Sequence, residues 1–437
     1  MGANIYTDIF FVAFKLPNML RHIFAEGAFS QAFMPGFAAA RFKGRFAMQV
    51  FLTLLAIIAL LSLVVTLFAE ATTAAIAWGF DASTRELAAP LVAINFYYLN
   101  FIFVATFLAA LLQYRKHFAV PVFSTSLLNL TMIAALLLAR DREAAEIVYA
   151  LSYAVLVGGA LQVLIHIMAV RRLRLWPLLI GGIKKKRDTR EDTDRFRKSF
   201  IPAMFGASTI HISAFVDTVL ASFLVAGSIS YLYYANRIFQ LPLALFAIAV
   251  SMALFPVIAR AIAQKERAQA LAFLERSFWL LLFLLSGAMV GGMMLSEGII
   301  WLLFERGAFE RADTLVSGGV LFWYMVGLVP FGLARIFSLW LYSHHQQARA
   351  AKIAGWSLGV NVIFSLALIG PMGAQGLALA SSIGGVVLLI LSLNAFGWQQ
   401  FWGMIRLKWL LLLAGVLVIE GALITLFKAA VGYDTLF

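Results

Sequence analysis

The chain of 437 residues contains no cysteine, which excludes disulfide bonds, cysteine-ligated metals and thiol catalysis. Its six histidines show no spacing typical of metal ligands. His344 and His345 are adjacent, so they cannot share one face of a helix. The sequence has no glycine-rich phosphate loop, no nucleophile elbow and no HExxH motif. We therefore expect a protein that is not an enzyme and has no cofactor, apart from a coupling ion such as Na+ or H+.

Charged residues are also scarce, at 13% of the chain, whereas 63% of residues are hydrophobic and the mean hydropathy is +0.92. Soluble domains are nearer half apolar and a quarter charged, so the solvent must be lipid. Unbroken apolar runs at 51–69 and 409–427 match the ~20 residues that a transmembrane helix needs. They lack the alternation of a transmembrane β-strand. The composition predicts an all-α polytopic membrane protein.

Apolar windows predict about twelve transmembrane helices. Every second connection between them is basic, and basic connections face the cytoplasm. The most basic connection, 171–198, carries eleven Lys and Arg against four acids. The formal net charge of +13 therefore reflects membrane topology, and we expect no nucleic-acid partner. The predicted spans are 6–40, 46–69, 87–112, 119–139, 145–170, 199–224, 228–260, 272–303, 314–342, 350–370, 373–397 and 408–428.

The same alternation of charge places the start of the chain outside the cell. The N-terminus has no basic n-region and no small-residue cleavage site, so it is not a signal peptide. An outside N-terminus without a signal sequence is unusual. We therefore expect that one helix before the first span is missing from this chain.

Two similar segments indicate an internal repeat. Residues 29–35 close the first span and residues 250–256 close the seventh, and both spans carry an arginine, Arg21 and Arg237. The pattern predicts two pseudo-symmetric helical lobes around a central cavity. The expected divisions are an N-terminal lobe at 1–170, a basic cytoplasmic linker at 171–198, a C-terminal lobe at 199–397 and an additional C-terminal helix at 398–437.

The first span holds several charged residues along about 27 Å of helix. Each charge near the helix centre would cost roughly 2.5–3.5 kcal/mol if it faced lipid. These side chains must therefore face a watery cavity lined by protein. The predicted substrate-binding residues of this span are Asp8, Lys15, Asn18, Arg21, Glu26 and Ser30.

A second polar patch in the seventh span consists of Asn236, Arg237 and Gln240, just before a proline. One interpretation is that intramembrane charges pair with each other where the lobes meet. The other is that Arg21 and Arg237, one in each lobe, clamp an anion. A guanidinium suits phosphate because its planar fork binds two oxygens and keeps its charge when desolvated.

Asp217 is the one charged residue in the run 210–225, and an isolated carboxylate inside a membrane is a proton or cation site by default. Candidate partners are Asn361 and Ser365, four residues apart on one helix face, and Ser381 in the next span. Oxygen ligands of this kind suit a small monovalent cation. The alternative is a cluster of hydrogen bonds that only packs helices together.

Residues 8–35 of the chain, DIFFVAFKLPNMLRHIFAEGAFSQAFMP, strongly resemble the MurJ (MviN) lipid II flippase family, which belongs to the superfamily of the MATE multidrug antiporters. Further matches are 230–242, SYLYYANRIFQLP, and 303–309, LFERGAF. The resemblance covers nearly the whole chain. It implies two six-helix lobes around a V-shaped cationic cavity, and C-terminal helices that form a groove for a polyprenyl tail.

The resemblance also implies roles for single residues. Arg21 and Arg237 match cavity arginines that hold the pyrophosphate, and Asp8 and Glu26 match acidic residues of the same helix. Asp217 matches a position that helps to bind a monovalent cation in some members. The sequence departs from the family in lacking its first helix, which carries two more arginines, and its last. It also has Asn236 and Gln240 where the family has acidic residues.

We therefore expect a multi-pass protein of the cell inner membrane that acts in peptidoglycan biosynthesis. It would flip lipid II, an undecaprenyl-pyrophosphate-linked glycopeptide, from the cytoplasmic to the periplasmic leaflet by alternating access. With no ATP site, an ion gradient or the membrane potential would drive it. The expected partners are lipid II and membrane lipids, and the expected state is a monomer. The alternatives are a cation-coupled multidrug or polysaccharide-lipid exporter, and a membrane scaffold.

Overall fold

The computed structural model describes residues 2–21, 28–184, 188–344 and 346–433. All regular secondary structure within these ranges is helical, as the composition predicts. The helices are α1 Ile5–Arg21, α2 Ala28–Ala39, α3 Lys43–Leu67, α4 Ala69–Ile76, α5 Ala82–Phe96, α6 Tyr98–Tyr114, α7 Ala119–Leu138, α8 Ala144–Arg172, α9 Trp176–Lys184, α10 Arg190–Ala221, α11 Ser228–Pro242, α12 Ala249–Ala263, α13 Arg267–Met294, α14 Ser296–Phe304, α15 Arg311–Val326, α16 Leu328–Ser343, α17 Gln347–Phe396, α18 Trp398–Met404 and α19 Leu407–Val431.

Among the described residues, nine helical stretches are long and apolar enough to cross a membrane. One of them is α17, whose 50 residues contain a break at Gly373 with φ of 56°. That left-handed conformation favours glycine, and it divides α17 into the two spans predicted at 350–370 and 373–397. The spans predicted at 6–40 and 199–224 correspond to α1–α2 and to α10, which fall outside those nine stretches.

The chain divides into two compact units, and the first comprises Ile5–Phe223. Its centre is a stack of buried phenylalanines. The Phe29 and Phe33 rings of α2 lie 5.0 Å apart, and Phe33 also stacks on Phe46 of α3 at 5.8 Å. Phe103 of α6 meets Phe29 edge-on at 5.6 Å. Such dense contacts hold helices together in lipid, where water supplies no hydrophobic driving force.

The second unit comprises Leu224–Phe437 together with the first four residues. Its helices approach closely where side chains are small. A Cβ atom on Gly332 of α16 would lie 2.1 Å from Leu285 Cδ1 of α13. A buried polar contact joins α15 to α17, because Ser382 Oγ donates a hydrogen bond to the Trp323 carbonyl at 2.6 Å. Helix packing in this unit therefore combines close backbone approach with internal polar bonds.

The order of breaks in the helices repeats between the units. A long helix followed by a short one occurs at α3–α4 and again at α13–α14. The pair α5–α6, interrupted at one residue, matches α15–α16, and α7 and α8 match the two halves of α17. Likewise α1–α2 matches α11–α12. This repeated order agrees with the two-lobe architecture predicted from the short motifs.

The compact units divide at a different place from the one that the sequence predicted. The expected start of the C-terminal lobe was 199, but α10 belongs to the first unit, which ends at Phe223. The Phe196 ring of α10 meets Phe29 and Phe46 edge-on at 6.4 and 6.2 Å. Aromatic packing near the start of α10, which a hydropathy pattern does not report, joins this helix to the first unit.

The stretch expected to be a basic linker, 171–198, contains part of the packed structure. Helix α9 lies against α3 at two glycines. A Cβ atom on Gly182 would lie 2.1 Å from the Gly44 carbonyl oxygen, and one on Gly44 would lie 2.2 Å from the Leu178 carbonyl oxygen. Only glycine permits this approach of two backbones. The stretch therefore does more than connect two lobes.

Candidate functional site

Helix α1 carries the polar residues that were predicted for the first span. Asp8 is buried, and Lys15, Asn18 and Arg21 are each half-buried. Asp8, Lys15 and Arg21 all interact with neighbouring groups. Pro17 lies inside the helix on its buried side, and Arg21 is its last residue. Lys15 and Asn18 therefore lie within two residues of Pro17. A helix loses one backbone hydrogen bond at a proline.

The remaining two predicted residues of this span follow the end of α1. Ser30 lies in the first turn of α2 and is half-buried. Glu26 lies outside the described residues. The described members of the predicted substrate site in this span therefore lie on the successive helices α1 and α2. The role of Glu26 stays a prediction.

The second predicted patch lies on α11. The Arg237 guanidinium is exposed; its Nη2 donates a hydrogen bond to the Tyr233 hydroxyl at 2.8 Å, and its Cζ lies 4.7 Å from the centre of the Tyr233 ring. Gln240 Nε2 donates a hydrogen bond to Asn236 Oδ1 one turn earlier. All these contacts run along α11 itself. The two contacts with Tyr233 orient the arginine while leaving donors of its planar fork available.

Each of the two arginines comes shortly before or after a helix irregularity. Arg21 follows Pro17 in α1, and Arg237 precedes Pro242 at the end of α11. After Pro242 the chain continues as a π-helical segment, Leu243–Ile248. π-helical insertions are often found at functional sites. Each compact unit therefore carries one of the two arginines, near a proline of its helix.

Asp217 is buried near the end of α10, and its Oδ1 accepts no hydrogen bond from the described residues. The Lys15 ammonium of α1 acts on it electrostatically. In the sequence Asp217 is isolated from other charges, because Lys15 lies far away in the chain. The fold of the first unit instead couples this carboxylate electrostatically to a cation of the candidate substrate site.

The proposed oxygen partners of a cation lie on α17 in the other compact unit. Asn361 and Ser365 are buried, and both polar atoms of the Asn361 amide and the Ser365 hydroxyl lack hydrogen-bond partners among the described side chains and backbone. Ser357, one turn earlier, donates instead to the Gly384 carbonyl at 2.8 Å. Ser381 is half-buried. Unpaired buried polar atoms are costly, so Asn361 and Ser365 are the stronger candidates for binding an ion or water.

Several buried polar residues of the first unit are absent from the set predicted from the sequence. Asn95 Nδ2 donates to Ser152 Oγ at 2.8 Å, and Gln162 Nε2 donates to the Ser124 carbonyl at 3.0 Å. His166 bonds through Nδ1 to the Gln162 carbonyl at 2.7 Å. A polar residue inside an apolar span is the signal that would have found them. No group of three metal-ligating side chains occurs within the described ranges.

A family model and a curated relative, both matched by sequence, carry the same family name. A family model described as "Lipid II flippase MurJ" matches residues 1–435. A curated relative from Helicobacter pylori strain J99, named "Probable lipid II flippase MurJ", is 46% identical over 450 residues, covering 100% of this chain and 98% of the relative.

Solved structures agree with this result. The structure described as "Lipid II flippase MurJ, inward closed conformation" matches with a TM-score of 0.78 and 26% identity, covering 99% of this chain and 94% of that one. An inward-facing multidrug resistance MATE family transporter matches with a TM-score of 0.68 at 12% identity, covering 92% and 96%. At that identity the second likeness concerns the fold alone.

Proposed function

This chain belongs to the MurJ lipid II flippase family, and we propose that it is a lipid II flippase, a multi-pass membrane protein that transfers this lipid-linked precursor of peptidoglycan across the bilayer. The observation that carries the proposal is an arginine on a candidate span in each compact unit, Arg21 at the end of α1 and Arg237 on α11. Multidrug export is not favoured, because a cationic drug would be repelled by the basic side chains Lys15, Arg21 and Arg237.

The arginines are suited to the pyrophosphate of lipid II. A guanidinium donates two parallel hydrogen bonds to phosphate oxygens and remains charged in a site of low dielectric constant. Tyr233 restrains the Arg237 side chain before the substrate arrives, which lowers the entropy lost on binding. We propose that the headgroup binds from the cytoplasmic side and is released to the periplasm by alternating access, while the polyprenyl tail stays in lipid.

We propose that a cation gradient or the membrane potential drives this cycle. Two sets of residues support the proposal: Asp217 with Lys15 acting on it, and the unpaired polar atoms of Asn361 and Ser365. Binding of Na+ or H+ at either set would change the charge or hydrogen bonding inside one compact unit. We further propose that the protein acts as a monomer in the cell inner membrane.

The test is complementation of a bacterial strain depleted of its flippase, with Arg21→Ala, Arg21→Lys, Arg237→Ala and Arg237→Lys. Loss of charge-assisted hydrogen bonds worth roughly 1.5–3 kcal/mol should abolish growth in the alanine variants. The lysine variants, which keep the charge without the planar fork, should complement partially. Arg140→Ala is the matched control, because the Arg140 side chain is 74% exposed and pairs with its neighbour Asp141.

Protein amounts in the membrane must be equal among the variants. Full growth with both alanine variants would contradict the proposal. Drug sensitivity without any defect in wall synthesis would instead indicate an exporter.

A further inference from the structure

A cavity of about 620 Å³ lies between α13 and α19 in the second unit. We call it the α13–α19 pocket; the lining residues used below are Glu275, Arg276, Trp279, Phe283, Trp409 and Leu412. Its volume is within the range of ~300–1,000 Å³ that is usual for small-molecule sites. The pocket is separate from the candidate substrate residues of this unit, which lie on α11.

Three aromatic rings form the wall of the pocket. The Trp279 and Trp409 rings lie 6.4 Å apart, and Phe283 lies 6.2 Å from Trp409 and 6.4 Å from Trp279. Trp279 is buried and donates a hydrogen bond from Nε1 to the Met404 carbonyl at 3.2 Å. The bond and the ring contacts hold the wall in one arrangement, so the pocket is formed before any ligand binds.

The mouth of the pocket is positively charged. Glu275 Oε1 and Arg406 Nε form a salt bridge at 3.1 Å that joins α13 to α19. The exposed guanidinium of Arg276 lines the pocket and forms no ion pair with another described residue. Lys408, also exposed, is the second residue of α19. Because Arg406 pairs with the lining carboxylate of Glu275, the charge of Arg276 remains at the pocket, and it is complementary to an anion.

The depth of the pocket in the bilayer follows from the charge pattern. Helices α13 and α19 both begin within the segments 260–276 and 406–408, which carry more basic than acidic residues, and basic segments between spans face the cytoplasm. Tryptophan is enriched at the level of the lipid headgroups, where Trp279 and Trp409 would then lie. Within the pocket lining, Leu280 and Leu412 are 51% and 49% exposed, so this part of the pocket is apolar and open to acyl chains. A ligand that fits the α13–α19 pocket would therefore have one charged end and one apolar end.

We propose that the α13–α19 pocket binds an anionic phospholipid of the cytoplasmic leaflet. Its phosphate accepts hydrogen bonds from Arg276, and its acyl chains lie along Phe283 and Leu412. Basic pockets between transmembrane helices on the cytoplasmic side bind anionic headgroups in this way. The bound lipid also extends the contact of α19 with α13, which otherwise relies at this end on the salt bridge and the aromatic rings.

The experiment measures lipid binding by the purified full chain in detergent, by native mass spectrometry during titration with phosphatidylglycerol or phosphatidylcholine. We expect phosphatidylglycerol to bind more tightly. Arg276→Gln should weaken it about tenfold, as expected for one charge-assisted bond to phosphate, and Arg276→Lys should recover part of the loss. Arg267→Gln is the matched control, because Arg267 is also exposed and begins the same helix without lining the pocket.

Equal weakening by Arg267→Gln and Arg276→Gln would overturn the proposal, because it would indicate attraction to the basic surface as a whole. Equal affinity for phosphatidylcholine would overturn it too. So would displacement of bound phosphatidylglycerol by lipid II with no change at Arg21→Ala, since the pocket would then hold the transported lipid. Binding is measured without transport, so its failure leaves the flippase proposal, which rests on complementation, unaffected.

Discussion

The Gly79 amide donates a hydrogen bond to Ser222 Oγ at 2.9 Å, which joins the loop between α4 and α5 to the end of α10. A Cβ atom at Gly79 would lie 2.4 Å from backbone atoms of Ser222 and Phe223. Two backbones therefore touch at this point, and only a glycine permits it. This contact, together with Phe196, places α10 in the first compact unit.

Gly79→Ala should destabilise the protein. The added methyl group must push the end of α10 away from the loop, and overpacking of this kind costs typically 1–3 kcal/mol. The apparent melting temperature of the purified protein in detergent should fall clearly. Gly355→Ala is the control, because nothing lies within 4 Å of a Cβ atom there and alanine favours a helix. An unchanged melting temperature for Gly79→Ala would show that the contact is not formed in solution.

Asp81 should contribute stability that is lost in acid. It is the N-cap of α5: its Oδ1 accepts from the Thr84 amide and its Oδ2 from the Ser83 hydroxyl, both at 2.9 Å. The bonds from Thr84 and Ser83 hold the pKa of the Asp81 carboxyl below its usual value. A lowered pKa in the folded state means that the contribution is present above the usual value and disappears as the pH falls through the folded value.

The measurement compares melting temperatures of the wild type, Asp81→Ala and Asp81→Asn between about pH 7 and pH 3, a window that spans the usual Asp pKa of roughly 3.9. The wild type should exceed Asp81→Ala at neutral pH, and the gap should shrink only below that pKa. Asparagine is also a good N-cap but does not titrate, so Asp81→Asn should stay above Asp81→Ala in acid. A constant gap between wild type and Asp81→Ala would refute the prediction.

Asn361→Ala should remove any stabilisation by Na+. The Asn361 amide and the Ser365 hydroxyl are buried without partners among the described residues, and a bound cation would satisfy their oxygens. A ligand at one hundred times its Kd stabilises by about 2.7 kcal/mol, so raising NaCl should increase the melting temperature of the wild type more than choline chloride does. The variant should show equal responses to both salts.

Ser357→Ala is the control for Asn361→Ala, because Ser357 lies one turn earlier on α17 and its hydroxyl already bonds to Gly384. This variant should melt lower in all salts but keep its Na+ response. The same Na+ response in Asn361→Ala and wild type would exclude this amide as a ligand, and H+ coupling through Asp217 would then be the remaining proposal.

Much of the architecture followed from local patterns. Apolar runs located the spans, since a helix is the structure that satisfies its own backbone hydrogen bonds in lipid. The repeated motifs at 29–35 and 250–256 predicted two similar halves, and the order of elements agrees. Arg21 and Arg237 were recognisable because a charge inside a span is too costly to be retained without a role.

Local sequence patterns do not predict contacts between residues that are far apart in the chain. Lys15 acts on Asp217 from another helix, and no spacing along the chain reports that. The α13–α19 pocket joins Trp279 to Trp409, two residues that look like ordinary interfacial tryptophans in the sequence. The boundary of the first unit depended on contacts of Phe196 and Gly79 with residues far away in the chain, and the residues next to them do not report these partners.

The sequence by itself determined that the chain is a bundle of membrane helices, how it repeats, and which side chains are too polar for lipid, because the transfer cost from water to hydrocarbon is a property of each residue and its near neighbours. Only the tertiary structure decided which unit α10 joins, which charge acts on Asp217, and where α13 and α19 leave a basic pocket. These outcomes depend on the packing of surfaces far apart in the chain, whose energies arise only when the surfaces meet.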